Sequence, residues 1–129
     1  MNKPTVLIAE DDFVIREGYL EPLLTPHCTI VASVGDGREA VAAAREHQPE
    51  VVLLDVSLPR LNGIEAARQI LAAQPACKVL LVSNYTDPAY VRAAKEMGLS
   101  GYVLKTQIQS ELLPAIHTAL AGGFYQSRF

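Results

Sequence analysis

Clusters of basic residues, membrane-length apolar runs and paired cysteine motifs are all missing from this sequence. Eleven lysines and arginines stand against fourteen acids, a formal charge of -3. No stretch gathers enough bases to neutralise a track of phosphates, which argues against nucleic-acid binding by this segment alone. The apolar runs stay far below the roughly 20 residues that a bilayer requires, so no membrane span is expected. The amino end, Met1-Asn2-Lys3-Pro4, lacks the charged-then-apolar form of a secretory signal. Cys28 and Cys77 are the only cysteines, with no CxxC or Cys/His spacing, which points to buried free thiols in a reducing compartment. His27, His47 and His117 share no metal-ligand spacing. Internal repeats and low-complexity tracts are absent as well. What remains is a cytoplasmic chain of 129 residues, the size of one domain with a real core.

Five short apolar runs recur along it: Val6 to Ala9, Thr29 to Val34, Val51 to Leu54, Val79 to Val82 and Tyr102 to Leu104. Segments of helical periodicity separate them, so five βα units and a mostly or wholly parallel sheet are predicted, with right-handed crossovers placing helices on both faces. The first helix is expected over about Phe13 to Leu24, with Val14, Ile15, Tyr19, Leu20 and Leu23 available for burial and Pro22 causing a kink or an early end near Glu21. The second spans about Gly37 to His47, stopped by Pro49. The third carries Ile64, Ala67, Ile70 and Leu71 and ends before Pro75. The fourth opens at Asp87-Pro88 and closes at Gly98, and the fifth starts near Ser110 and ends at Gly122-Gly123. Pro114 is expected to be tolerated through its closeness to the first turn. Residues 124–129 read as a tail with two aromatics, which either docks on the domain or begins a connection onward.

In a parallel sheet the carboxyl ends of the strands converge on one edge, where ligands bind. Glu10, Asp11 and Asp12 follow the first strand, Asp55 the third, Ser83 the fourth and Lys105 the fifth. Each has an ordinary alternative: Asp12 and Ser83 as helix caps, Asp55 as the start of a turn, Lys105 as a solvated end. Together they are a specific set. Gathered carboxylates repel one another unless a cation joins them, and oxygen ligands without His or Cys suit Mg2+. A nucleophilic carboxylate with a metal, a lysine and a hydroxyl is what transfer of a phosphoryl group to Asp55 requires.

From Pro4 to about Ser127 the sequence resembles the receiver domain of two-component response regulators. The motifs that carry the resemblance are Ala9-Glu10-Asp11-Asp12, Leu54-Asp55-Val56-Ser57-Leu58-Pro59 with Gly63, Leu81-Val82-Ser83, and Gly101-Tyr102-Val103-Leu104-Lys105. The resemblance implies a single doubly wound, flavodoxin-like (βα)5 domain with a five-stranded parallel sheet in the order 2-1-3-4-5. It implies that Asp55 accepts a phosphoryl group from a sensor histidine kinase. Asp11 would bind Mg2+ directly, Glu10 through water, and Asp55 and the main-chain carbonyl of Ser57 would complete the protein ligands. Ser83 and Lys105 match the hydroxyl and lysine positions, and Ser83 with the ring of Tyr102 forms the implied switch, Tyr102 turning from exposed to buried on phosphorylation. Ser57 and Tyr85 flank the route of water to the phosphoryl group, from which a long-lived phosphoform is expected. Thr106 stands where many receivers have proline, so no cis peptide is expected there.

The ending Glu111-Leu112-Leu113-Pro114-Ala115-Ile116, then Ala121 to Ser127, is similar to receivers of the NarL/FixJ (LuxR-type) group, which continue into a helix-turn-helix domain. The expectation is a receiver over 1–123 with 124–129 opening a linker to an output domain, DNA being met only through that domain and homodimerisation following phosphorylation. A natural single-domain receiver is the alternative. A phosphohydrolase working through an aspartyl intermediate is disfavoured, since serine occupies position 57 where a second acid would serve. A nucleotide or flavin module would want a phosphate loop after the first strand, not three acids.

Overall fold

A computed structural model describes residues 3–129. Short β-branched and leucine-rich runs become strands β1 (Thr5–Ala9), β2 (Thr29–Val34), β3 (Val51–Asp55), β4 (Lys78–Ser83) and β5 (Gly101–Leu104). They pair in parallel in the expected order, and a short sixth strand, β6 (Tyr125–Gln126), extends the sheet to β2-β1-β3-β4-β5-β6. The five-stranded expectation is corrected by this one strand. Tyr125 N–H donates to the Ser100 carbonyl and Ser127 N–H to that of Tyr102, each at 3.0 Å. Residues 124–129 thus dock on the edge of β5.

Alternation along the strands divides the core in two. Leu7, Val52, Leu54, Leu81 and Tyr102 face one side, Val6, Ile8, Leu53, Leu80 and Val103 the other. The first side is covered by α2 (Gly37–His47), α3 (Gly63–Ala73) and α4 (Pro88–Glu96), the second by α1 (13–24) and α5 (Ile108–Leu120). Asp36, Asn62 and Asp87 cap the first three of these helices by accepting a first-turn N–H. Gly98, with φ of 78°, supplies the left-handed residue that ends α4.

Helix α1 departs from expectation. It runs as Phe13–Ile15, a π-type segment Arg16–Leu20 and Glu21–Leu24. Pro22 has no N–H to offer the Gly18 carbonyl, and the ladder widens ahead of it: Glu21 N–H reaches back five residues to the carbonyl of Arg16. A wide turn replaces the predicted kink or stop. Its phase also shifts, so that Leu20 and Leu24 are buried while Tyr19 is 50% exposed; Val14, ahead of the wide turn, is 57% exposed as well, and both lie contrary to their expected burial. A single 3-10 turn, Lys105–Gln107, leads into α5, which begins at Ile108. Pro114 lies well inside that helix, not near its first turn, and costs only the one bond to Ser110.

Glycine is required where α3 starts. Gly63 N–H donates to the Val56 carbonyl at 2.9 Å, and a Cβ there would sit 2.0 Å from the main-chain oxygen of Asp55. Gly63→Ala must push α3 away from the end of β3. A loss of about 1–3 kcal/mol is expected from overpacking of this kind, read as a lower urea midpoint at unchanged slope.

Candidate functional site

The carboxyl ends of β1, β3 and β5 bring three charged side chains into contact. Asp55, the last residue of β3, is 4% exposed and Glu10, just beyond β1, is 1% exposed. Lys105 follows β5, its Nζ 2.8 Å from Glu10 Oε1 and 3.1 Å from Asp55 Oδ2. The Ser57 N–H donates to Asp55 Oδ1 at 3.1 Å, so both carboxylate oxygens of Asp55 are oriented. Asp11 is exposed, yet one oxygen from each of Glu10, Asp11 and Asp55 lies within 4.8 Å of the others.

Asp12 takes no part in this cluster. Its Oδ1 accepts from the N–H groups of Val14 and Ile15 at 2.9 and 3.2 Å, capping α1. Its own N–H donates to Glu10 Oε2 at 3.0 Å, which fixes the direction of the Glu10 carboxylate.

Burial pushes the Glu10 carboxyl up to about 7, with the charge of Asp55 adding to the rise and Lys105 and the Asp12 N–H opposing it. Burial by itself would lower the Lys105 ammonium, but the nearby carboxylates of Glu10 and Asp55 outweigh this, and it is raised. The lysine is therefore charged, and the two buried carboxylates outnumber it. The donor set fits a hard cation. Glu10 Oε1, although close to the ammonium, makes no contact of hydrogen-bond geometry, and the solvent-facing Asp11 leaves the cluster open to an ion that keeps its waters.

Around this centre, Ser83 is buried with its Oγ accepting the Tyr85 N–H at 3.0 Å. Tyr102 is wholly buried, and its hydroxyl donates to the Tyr85 carbonyl at 2.7 Å. Burial raises the Tyr102 phenol, which keeps it a donor. The Tyr85 side chain, 45% exposed, stacks on Tyr90 at 5.0 Å and pairs hydroxyl to hydroxyl with Ser57 at 2.9 Å. Ser57 and Tyr85 thus meet directly over the end of β3. Sequence reasoning missed Arg16, whose Nη1 donates to the Glu10 carbonyl at 2.9 Å; a base one turn beyond the acids was the only signal. It also missed the clasp at the carboxyl end, where the Ser127 hydroxyl donates to Glu111 and accepts the Leu104 N–H.

The model of the response regulator receiver domain matches residues 6–117. The chain belongs to that family. Among its relatives, the transcriptional regulatory protein DegU of Brevibacillus brevis is 35% identical over 125 residues, 96% of this chain and 53% of that protein. The chain spans about half the length of the curated relatives it matches. A two-component response regulator of the LuxR family from Aurantimonas sp. SI85-9A1 superposes with a TM-score of 0.88 at 34% identity, covering 96% of this chain and 89% of that one. The signal receiver domain of the putative response regulator NarL from Mycobacterium tuberculosis gives 0.86 at 29% identity, covering 95% and 99%. Family membership accounts for the doubly wound sheet and places this chain beside LuxR-type regulators. No helix among the described residues is long and apolar enough to cross a membrane.

With Glu10 poised near 7, protons compete with a cation for its charge: the carboxylate is about nine-tenths ionised one unit above that value and one-tenth one unit below. Mg2+ affinity, measured by calorimetry, is expected to fall about tenfold between pH 8 and pH 6. A flat profile would remove Glu10 from the cation's surroundings.

Proposed function

We propose that this receiver is a phosphorylation-activated switch in which Asp55 accepts a phosphoryl group from the phosphohistidine of a sensor kinase. The observation that carries this is the oriented Asp55 carboxylate at the end of the middle strand, with Lys105 at 3.1 Å and two further acids beside it. A carboxylate oxygen attacks phosphorus, the bond from phosphorus to the imidazole nitrogen breaks, and the imidazole leaves with the electron pair. An aspartyl phosphate results. Lys105, which neutralises Asp55 at rest, is placed to follow the charge onto the phosphoryl oxygens. Asp11, Glu10 through water, Asp55 and the Ser57 carbonyl would hold Mg2+, which would supply charge neutralisation for the transferring group.

Once charge has moved outward from the carboxylate, the Ser83 hydroxyl becomes a donor to a phosphoryl oxygen. Tyr102 is the second switch element, and its buried ring with its hydroxyl on the Tyr85 carbonyl supports the reading that it turns inward when Ser83 moves. The face of α4, β5 and α5 changes with it. The relatives' names and double length support an output step in transcription through a DNA-binding domain joined to this receiver.

Intact-mass spectrometry after incubation with acetyl phosphate tests the acceptor. One phosphoryl group is expected with Mg2+, none with chelator, and none in Asp55→Ala; no gain by the folded wild type would overturn the assignment. The Ser57–Tyr85 hydroxyl pair predicts a second outcome. Because it covers the line along which water reaches the phosphoryl group, Tyr85→Ala is expected to shorten the phosphoform half-life about tenfold, equivalent to about 1.4 kcal/mol of barrier. An unchanged half-life would remove Tyr85 from that role.

A further inference from the structure

We infer that the segment 124–129 is an intramolecular ligand of the inward-ring state of Tyr102, so that its docking and phosphorylation of Asp55 strengthen one another. The segment lies beyond residues 6–117 matched by the family, so family membership assigns it no task. It binds both sides of the switch tyrosine. Ser127 N–H donates to the Tyr102 carbonyl at 3.0 Å, and Ser127 Oγ accepts the Leu104 N–H at 3.0 Å. Ser127 is fully buried, and its hydroxyl proton goes to Glu111 on α5. Together with the bond from Tyr125 N–H to the Ser100 carbonyl, these fix the main chain of β5 on either side of Tyr102.

The ring itself is covered by the same segment. Phe129 packs against Tyr102 with centroids 6.0 Å apart, and Tyr90 lies 6.3 Å away on α4. Phe129 is 47% exposed while Tyr102 is fully buried, so Phe129 stands between the ring and solvent. A Tyr102 ring that swings outward must displace it. Lys95 of α4 sits 5.4 Å from the Phe124 ring centroid, so the segment touches α4, β5 and α5 together. Contacts made in only one position of Tyr102 bias the equilibrium toward that position, and linkage makes the bias reciprocal. A two-residue strand at the edge of the sheet is also where local opening is easiest. Phosphorylation is thereby transmitted to whatever follows residue 129 as tighter docking of the segment that leads to it.

This inference rests on Asp55 as phosphoacceptor and Tyr102 as switch, and the test separates the two. Beryllofluoride with Mg2+, a mimic of the phosphoryl group, is titrated by calorimetry into the wild type, Ser127→Ala and Phe129→Ala, and amide exchange is followed in the wild type with and without the mimic. Each variant is expected to bind beryllofluoride about fivefold more weakly while its affinity for Mg2+ alone stays the same. In the wild type the amides of Leu104 and Ser127 are expected to exchange more slowly when the mimic is bound. Wild-type beryllofluoride affinity in both variants, or exchange at those amides that ignores the mimic, overturns the coupling. The exchange measurement needs no variant and holds even if a substitution disturbs folding. A folded wild type that binds no beryllofluoride overturns the phosphoacceptor reading instead.

Discussion

Everything at this sheet edge depends on one half-buried ammonium shared by two buried carboxylates. Lys105 Nζ lies within 3.1 Å of both Glu10 and Asp55, where unit charges interact by several kcal/mol at an effective dielectric near 20. Each of the three also gives up water, and such a group is stable only when the geometry returns what desolvation removes. One cation between two anions leaves an excess of negative charge. Burial lifts Glu10 toward neutrality, the charge of Asp55 adding to the rise, and the imbalance leaves the cluster receptive to further positive charge, or to a reaction that carries negative charge away from Asp55 toward solvent.

The topology makes that contact possible and also dictates the residue type. β1 and β3 are neighbours, so Glu10 and Asp55 meet across one strand spacing. β5 is separated from β3 by β4, and two spacings of about 4.8 Å put its main chain roughly 10 Å away. Only a long side chain closes such a gap, and an ammonium on a four-carbon stem does so while fitting between two oxygens as a compact charge. Shorter polar side chains suffice on β4, which adjoins β3 directly; Ser83 is one. The hierarchy of lengths, aspartate and serine near the centre and lysine reaching in from outside, follows from strand order alone.

Much of this was legible in the chain. Acids, Asp55, Ser83 and Lys105 each close an apolar run, and a parallel sheet has only one edge on which they can gather. Helices α2, α3 and α4 were equally readable, from apolar periodicity and the prolines that bound them; the folded chain adds local caps at Asp36, Asn62 and Asp87. The α1 segment was not. Its wide turn answers the missing donor of Pro22, and a one-residue insertion in the helical ladder rotates every later side chain, which periodicity counted at 3.6 cannot anticipate. The sixth strand was hidden for another reason. Two residues carry no alternation pattern, and their pairing is decided by a β5 edge and a buried Ser127 that only the folded chain supplies.

The same contrast bears on where a receiver can be tuned. Glu10, Asp55 and Lys105 are bound to one another, so a change at any one leaves the other two buried and unbalanced. Tyr85 is bound through its main chain to Ser83 and Tyr102, while its side chain faces half outward onto Ser57 and Tyr90. The backbone link survives any substitution at that position, whereas the phenol does not. In the proposed switch, chemistry and switching would thus be held by groups that cannot vary independently, and access of water by one that can. On that proposal, lifetime of the phosphorylated state would be adjustable without disturbing the reaction that forms it, because the phenol of Tyr85 follows β4 while Glu10, Asp55 and Lys105 lie at the ends of β1, β3 and β5.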